Sequence, residues 1–219
     1  MRSYGQYCAV AKALDVVGDR WTLLIVRELT VQGPCRYTDI AHGLPGIASN
    51  LLSDRLRDLE DAGIVERRAA PPPVATTLYR LTTAGEELAP VLRALGRWGV
   101  RFMFDPGGDD EFRSAWLSFP ITEYLRDLCP DDPPAIVEID TGDRPVVVEV
   151  GGGEVTHRPG HADAPDLVLR GTAPLVLGAL TGKLSAQEAA AAGLEVVGDA
   201  DVLRRLRPEP SRQGAGYPA

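Results

Sequence analysis

Between Ser49 and Asp61 the sequence SNLLSDRLRDLED sets Asn50, Ser53, Asp54 and Arg57 at i, i+3, i+4 and i+7, the interval that brings side chains onto one face of a helix. Amide, hydroxyl and carboxylate groups beside a guanidinium supply the donors and acceptors that read base edges in a DNA major groove. Ser49 stands at the start of the same segment, where a short polar side chain reaches furthest. Arg67 and Arg68 follow, next to AAPPPVA, a stretch that its prolines exclude from a β-ladder, so it projects as a loop. Guanidinium groups at the base of such a loop suit phosphate or minor-groove contact. An isolated amphipathic helix has a polar face merely because water lies there, so the meaning of these residues depends on the elements around them.

Other arrangements in the chain carry less chemistry. The run from Gly178 to Lys183 is one residue short of a phosphate loop and continues into Leu184 instead of Ser or Thr. His157 and His161 are four apart with Pro159 and Gly160 between them, which removes the helical geometry that would aim both at one metal. Gly151, Gly152 and Gly153 read as a hairpin turn. With no serine elbow or paired acids, the expectation is a protein without catalysis, cofactor or bound metal.

The segments that position the polar residues read as a winged helix-turn-helix. Val10, Ala13, Leu14 and Val17 give a first helix stopped by Gly18, and RWTLLIVRELTV, capped by Asp19, describes a buried second one. Thr38 caps a short helix ending at Gly43, LPGIAS turns the chain, and Leu52, Leu56 and Leu59 form the inward stripe of a longer helix. Ile64 to Arg68 and Thr77 to Leu81 are the strands of a basic hairpin. Thr83 and Glu86 make a capping box for a helix carrying Leu88, Leu92, Leu95, Trp98 and Phe102 as one stripe, the expected homodimer seam together with the first helix.

CAVAKALDVVGDRWTLLIVREL, RYTDIAHGLPGIASNLLSDRLRDLEDAGIVERR and YRLTTAGEELAPVLRALGRWG resemble the HxlR-type transcriptional regulators across residues 8 to 99. The resemblance implies a dimeric, non-enzymatic regulator that binds double-stranded operator DNA. It implies helix contacts from Ser49, Asn50, Ser53, Asp54 and Arg57 and wing contacts from Arg67 and Arg68. Some members sense oxidants or electrophiles through an N-terminal cysteine, and Cys8 occupies the matching place. Free cysteine is also commonly a small buried hydrophobe, and the nearest cations in sequence, Arg2 and Lys12, give no evident reason for a lowered thiol pKa.

Composition splits the chain in two. Through Phe104 there are 13 Lys and Arg against 11 Asp and Glu, and from Asp105 onward 10 against 20, for a net charge of −8. Acidity of the whole therefore does not exclude nucleic acid for the first part. The expected organisation is a DNA-binding and dimerisation domain over 1–104, a linker over 105–112, a second domain over 113–207 and a disordered tail over 208–219. Three widely spaced cysteines, with no signal peptide or membrane-length apolar run, place the chain in the cytosol.

In the second part a helical stretch from Arg113 to Leu128, interrupted at Pro120, precedes alternating apolar segments at 137–139, 146–150, 155–157 and 167–169, an antiparallel sheet with one apolar face. Helices capped at Thr172, Ser185 and Asp199 and a strand over 194–197 complete an α+β domain. DAPDLVLRGTAPLVLGALTGKLSAQEAAAAGLEVVGDADVLRRL resembles the sterol-carrier-protein fold, which implies helices and a sheet enclosing a cavity for a small apolar or lipid-like ligand. Val148, Leu175, Val176 and Leu180 are the candidate lining residues; ordinary core is the other reading of each.

Overall fold

The computed structural model describes residues 3–70, 76–99, 102 and 111–208. Residues 71–75 of the expected loop AAPPPVA, most of the linker and the tail from 209 lie outside the described residues, while Ala69 ends β1. Two compact units, Met1–Gly96 and Arg97–Ala219, divide the chain.

The first unit is a winged helix-turn-helix. Helices α1 (Ala9–Val17), α2 (Thr22–Gln32), α3 (Tyr37–His42) and α4 (Ser49–Asp61) precede a hairpin of β1 (Val65–Ala69) and β2 (Thr77–Leu81), then α5 (Thr83–Glu86) and α6 (Ala89–Gly99). Ile25, Val26 and Leu29 of α2 meet Ile40 and Leu44, the stripe Leu52, Leu56 and Leu59, and Val65 and Leu81 of the hairpin in one core. Each fully buried leucine of that stripe contributes about 2 kcal/mol.

Three caps differ from expectation. No side chain caps α2; its N-cap is Trp21 at φ 79°, and Asp19 instead pairs with Arg55 at 2.9 Å. Helix α3 begins one residue before Thr38, with the Arg36 N–H donating to the Asp39 carboxylate at 3.1 Å. Thr82, not Thr83, caps α5: its hydroxyl accepts from the Gly85 N–H at 3.2 Å and donates to the Gly63 carbonyl at 2.6 Å, tying α5 to the base of the wing.

The expected single helix after the wing is two. Pro90 supplies no N–H for the bond back to Glu86, so the helix breaks at Glu87 and Leu88 and restarts as α6. The stripe divides with it. Leu88 and Leu92 pack against the core of the unit, whereas Val91, Leu95, Trp98 and Phe102 stay exposed.

In the second unit a 3-10 turn (Ser114–Leu117) runs into α7 (Ser118–Tyr124) and β3 (Leu125–Asp127). Pro120 does not interrupt the helix; it lies in the first turn of α7, where a missing N–H costs nothing. Strands β4 (Ala135–Asp140), β5 (Val146–Gly151), β6 (Glu154–Pro159), β7 (Leu167–Arg170) and β8 (Glu195–Gly198) form a sheet of order β6-β5-β4-β7-β8. Helices α8 (Ala173–Thr181), α9 (Ala186–Ala191) and α10 (Val202–Arg205) and strand β9 (Leu206–Pro208) complete it.

The sheet is mixed, not wholly antiparallel, because β7 runs parallel to β4 from Val137↔Leu167 to Asp140↔Arg170. Strand β6 ends where β4 ends, so the chain must travel back along the sheet before β7 can start. Residues 160–166 make that return, and the Ala162 N–H donates to the buried Glu138 carboxylate at 2.8 Å on the way. Ser185 and Glu188 form the expected capping box. The formal N-cap of the last helix is Asp201, but the Asp199 carboxylate accepts the Asp201 N–H at 2.9 Å just ahead of it.

Candidate nucleic-acid interface

Helix α4 is anchored by its back. Leu52, Leu56 and Leu59 are at most 2% exposed, which fixes its rotation and leaves Ser49, Asn50, Ser53, Asp54 and Arg57 all exposed. The Tyr37 hydroxyl donates to the Ser49 carbonyl at 2.8 Å, and the Ser53 hydroxyl donates to the same carbonyl at 3.0 Å. Tyr37, the first residue of α3, thereby locks the start of α4 to the preceding helix. Sequence reasoning missed it; its place one residue before Thr38 at a helix start was the available signal.

Beside this helix stands the wing. Arg67 and Arg68 are exposed on β1, opposite Tyr79 and Leu78 of β2. Arg67 Nε and Nη2 each lie 2.9 Å from the Glu60 carboxylate of α4, so helix and wing form one continuous surface. Arg68 Nε lies 3.1 Å from Glu66, a carboxylate shared with Arg80. Side-chain bonding from Arg80 first, then Coulomb attraction from Arg68 and Arg80, outweighs desolvation and holds the Glu66 carboxyl below its ordinary pKa. Arg80 was not singled out by the sequence; its pairing with Glu66 across the hairpin (Glu66↔Arg80) brings it to the surface that Arg68 occupies.

Arg57 pairs with Asp54 at 3.2 Å and Arg55 with Asp58 at 2.7 Å. Over 49–69 and 77–81 five arginines face five carboxylates. The surface therefore carries no excess charge, and its guanidinium groups are held in place by carboxylates.

Cys8 is exposed at the N-cap of α1. The N–H groups of Ala11 and then Val10 hold its thiol below the ordinary pKa, and no cation is required. Cys35 is buried in the winged core and Cys129 half-buried in the second unit.

The second unit brings Val148, Val176 and Leu180 together in its packed core, all at 0% exposure, with Leu175 partly buried against them. An apolar depression where α7 meets α8 is lined by Ile121, Tyr124, Leu177 and Leu180 among others, so it includes one of the four expected residues. His157 lies on β6, where burial lowers its pKa, while His161 sits in the return segment with Nδ1 3.2 Å from Glu138. Among the described residues no group of three or more His, Cys, Asp or Glu is placed to hold a metal, and no helix is long and apolar enough to cross a membrane.

The HxlR-like helix-turn-helix family matches residues 16–105. The uncharacterized HTH-type transcriptional regulator YvaP of Bacillus subtilis is 37% identical over 95 residues, covering 43% of this chain and 86% of YvaP. The HTH-type transcriptional regulator YodB of Bacillus subtilis is 35% identical over 95 residues, covering 43% of this chain and 83% of YodB. The reduced form of YodB aligns at 33% identity with a TM-score of 0.40, covering 47% of this chain and 100% of that one. The family match over 16–105 and the 37% identity to YvaP over 86% of its length show that the chain belongs to the HxlR-like helix-turn-helix family of transcriptional regulators.

Proposed function

We propose that the first unit binds operator DNA as a homodimer, with α4 in the major groove and the β1–β2 wing against the backbone, and that the regulator acts as a repressor. The observation that carries this reading is the Glu60–Arg67 contact, which sets a wing guanidinium beside the outward face of α4. Ser49, Asn50, Ser53, Asp54 and Arg57 read bases; Arg67 and Arg68 meet phosphate. Exposed Tyr7 ahead of α1, Val10 and Leu14 of α1, and Val91, Leu95 and Trp98 of α6 supply the apolar surface for dimerisation.

A duplex selected by the protein from a random pool, titrated across salt, tests it. Arg57→Ala should lose sequence preference, and Arg67→Ala should weaken binding on every sequence while lowering the salt slope by about 1. Equal binding of selected and scrambled duplexes by the wild-type chain would overturn the reading.

The second unit, with its sheet and helices around an apolar core, is the proposed holder of a small apolar ligand that shifts the dimer between states of different operator affinity. Native mass spectrometry of the purified chain, followed by DNA titration with and without the extracted molecule, tests both steps.

A second reading rests on Cys8. An exposed thiol of lowered pKa at a helix start is suited to react with oxidants or electrophiles. In that reading diamide treatment changes operator affinity in the wild type and leaves Cys8→Ser unaffected.

A further inference from the structure

Each of the five arginines on α4 and the wing has a carboxylate partner: Arg55 with Asp58 and Asp19, Arg57 with Asp54, Arg67 with Glu60, and Arg68 and Arg80 with Glu66. The Arg67 pair differs in what it connects. Glu60 belongs to the last turn of α4 and Arg67 to the middle of β1, so this contact joins the base-reading element to the phosphate-contacting one. Its geometry is side-on, with Nε to Oε1 and Nη2 to Oε2 each at 2.9 Å. A guanidinium has five N–H donors in a fixed plane, and this edge occupies two. The Arg67 side chain is 54% exposed, so an anion arriving from outside can reach the guanidinium. Glu60 and, behind it, the cross-strand neighbour Tyr79 raise the Arg67 pKa above its already high range, so the side chain is held from helix and wing alike.

We propose that Glu60 is the positioning residue for Arg67, and that the pair sets how strongly the protein prefers its own site to any other duplex. The inference rests on the reading of Arg67 as a phosphate contact. An exposed ion pair adds little stability, so its effect lies in geometry and competition. Held by Glu60, Arg67 presents one edge in one place, which matches a phosphate only when α4 is seated in register. Released, it becomes a mobile cation on a long stem that can reach phosphate on any sequence, and one carboxylate ceases to repel the backbone.

The test is fluorescence anisotropy with the full chain, on a duplex selected from a random pool by the wild type and on a scrambled duplex of the same composition, between about 50 and 200 mM salt. Glu60→Gln should tighten binding to the scrambled duplex and lower the selected-to-scrambled affinity ratio by about fivefold or more. Asp61→Asn removes the same charge from the same exposed turn and should shift both duplexes together, keeping the ratio within about twofold. In an Arg67→Ala background Glu60→Gln should no longer change the ratio. An unchanged ratio in Glu60→Gln, an equal drop in Asp61→Asn, or a drop that persists without Arg67 overturns the proposal. Failure of the underlying reading looks different: Arg67→Ala itself would leave affinity and salt slope unaltered on both duplexes.

Discussion

Gly43 closes the turn after α3 directly against Glu28, so that a Cβ added to it would lie 1.9 Å from Glu28 Oε2. The carboxylate has little room to yield. Its side chain is 1% exposed, Arg27 Nη2 holds one oxygen at 2.6 Å and Gln32 Nε2 the other at 2.8 Å, and Arg27 Nη2 also donates to the Gly43 carbonyl at 3.2 Å. Gly43→Ala should therefore destabilise the winged unit by about 1 to 3 kcal/mol, through overpacking of a buried ion pair. A lower urea midpoint for the first unit is expected; a wild-type midpoint would show that Glu28 swings aside.

The legibility of this fold follows how locally each element is determined. Leu52, Leu56 and Leu59 repeat at helical spacing and are buried as a set, so α4 and its outward residues follow from period alone. Adjacent Thr82 and Thr83 are equivalent as caps in sequence, and the Gly63 carbonyl, reached only once the hairpin is folded, selects Thr82. Strands β3 and β9 carry three residues each, too few for a strand period, and they pair only across the long separation that the Asp127–Arg205 contact, 78 positions apart, closes. The candidate contacts were legible by residue type. That Glu60 and Glu66 neutralise the wing was not, because it depends on the distance between a helix and a hairpin.

Asp127 and Arg205 form a buried pair with Nη2 to Oδ2 at 3.1 Å and side-chain exposures of 0% and 10%. Burial pushes the Asp127 carboxyl up, but the Arg205 guanidinium and the N–H groups of Cys129 and Gly153 outweigh it and leave the pKa lowered. A carboxyl depressed in the folded state adds stability above its unfolded pKa and loses it as pH falls through the folded value. The second unit should therefore weaken below about pH 4, and Asp127→Asn should remove that part of the pH dependence. Breaking the pair strands the Arg205 charge, at a cost of about 3 kcal/mol at neutral pH. Parallel stability curves for wild type and variant between pH 3 and 7 would exclude this role.

Cys8 should be the first thiol to react. Its lowered pKa raises the thiolate fraction at neutral pH, whereas Cys35 is buried and Cys129 half-buried. Iodoacetamide at limiting concentration, followed by peptide mass mapping, should find Cys8 carboxamidomethylated before the other two. The advantage should shrink as pH rises toward ordinary thiol values. Earlier labelling of Cys129 would mean that the N–H groups of Ala11 and Val10 do not activate the sulfur.

The break at Glu87 and Leu88 assigns two jobs to what the sequence presents as one stripe. Leu88 and Leu92 are spent on the core of their own unit, so from this stripe Leu95, Trp98 and Phe102, with neighbouring Val91, at 47 to 64% exposure, remain to meet a second chain. Charge placed at Leu95 should then act on assembly and not on folding. Leu95→Glu is expected to raise the dimer dissociation constant about 100-fold, equivalent to roughly 3 kcal/mol, with an unchanged melting profile when measured on monomer. Leu92→Glu, by contrast, should lower the stability of the winged unit itself, because that side chain is partly buried against its core. Sedimentation velocity across micromolar concentrations separates the two, and a wild-type chain that stays monomeric there would remove the dimer from the proposed function.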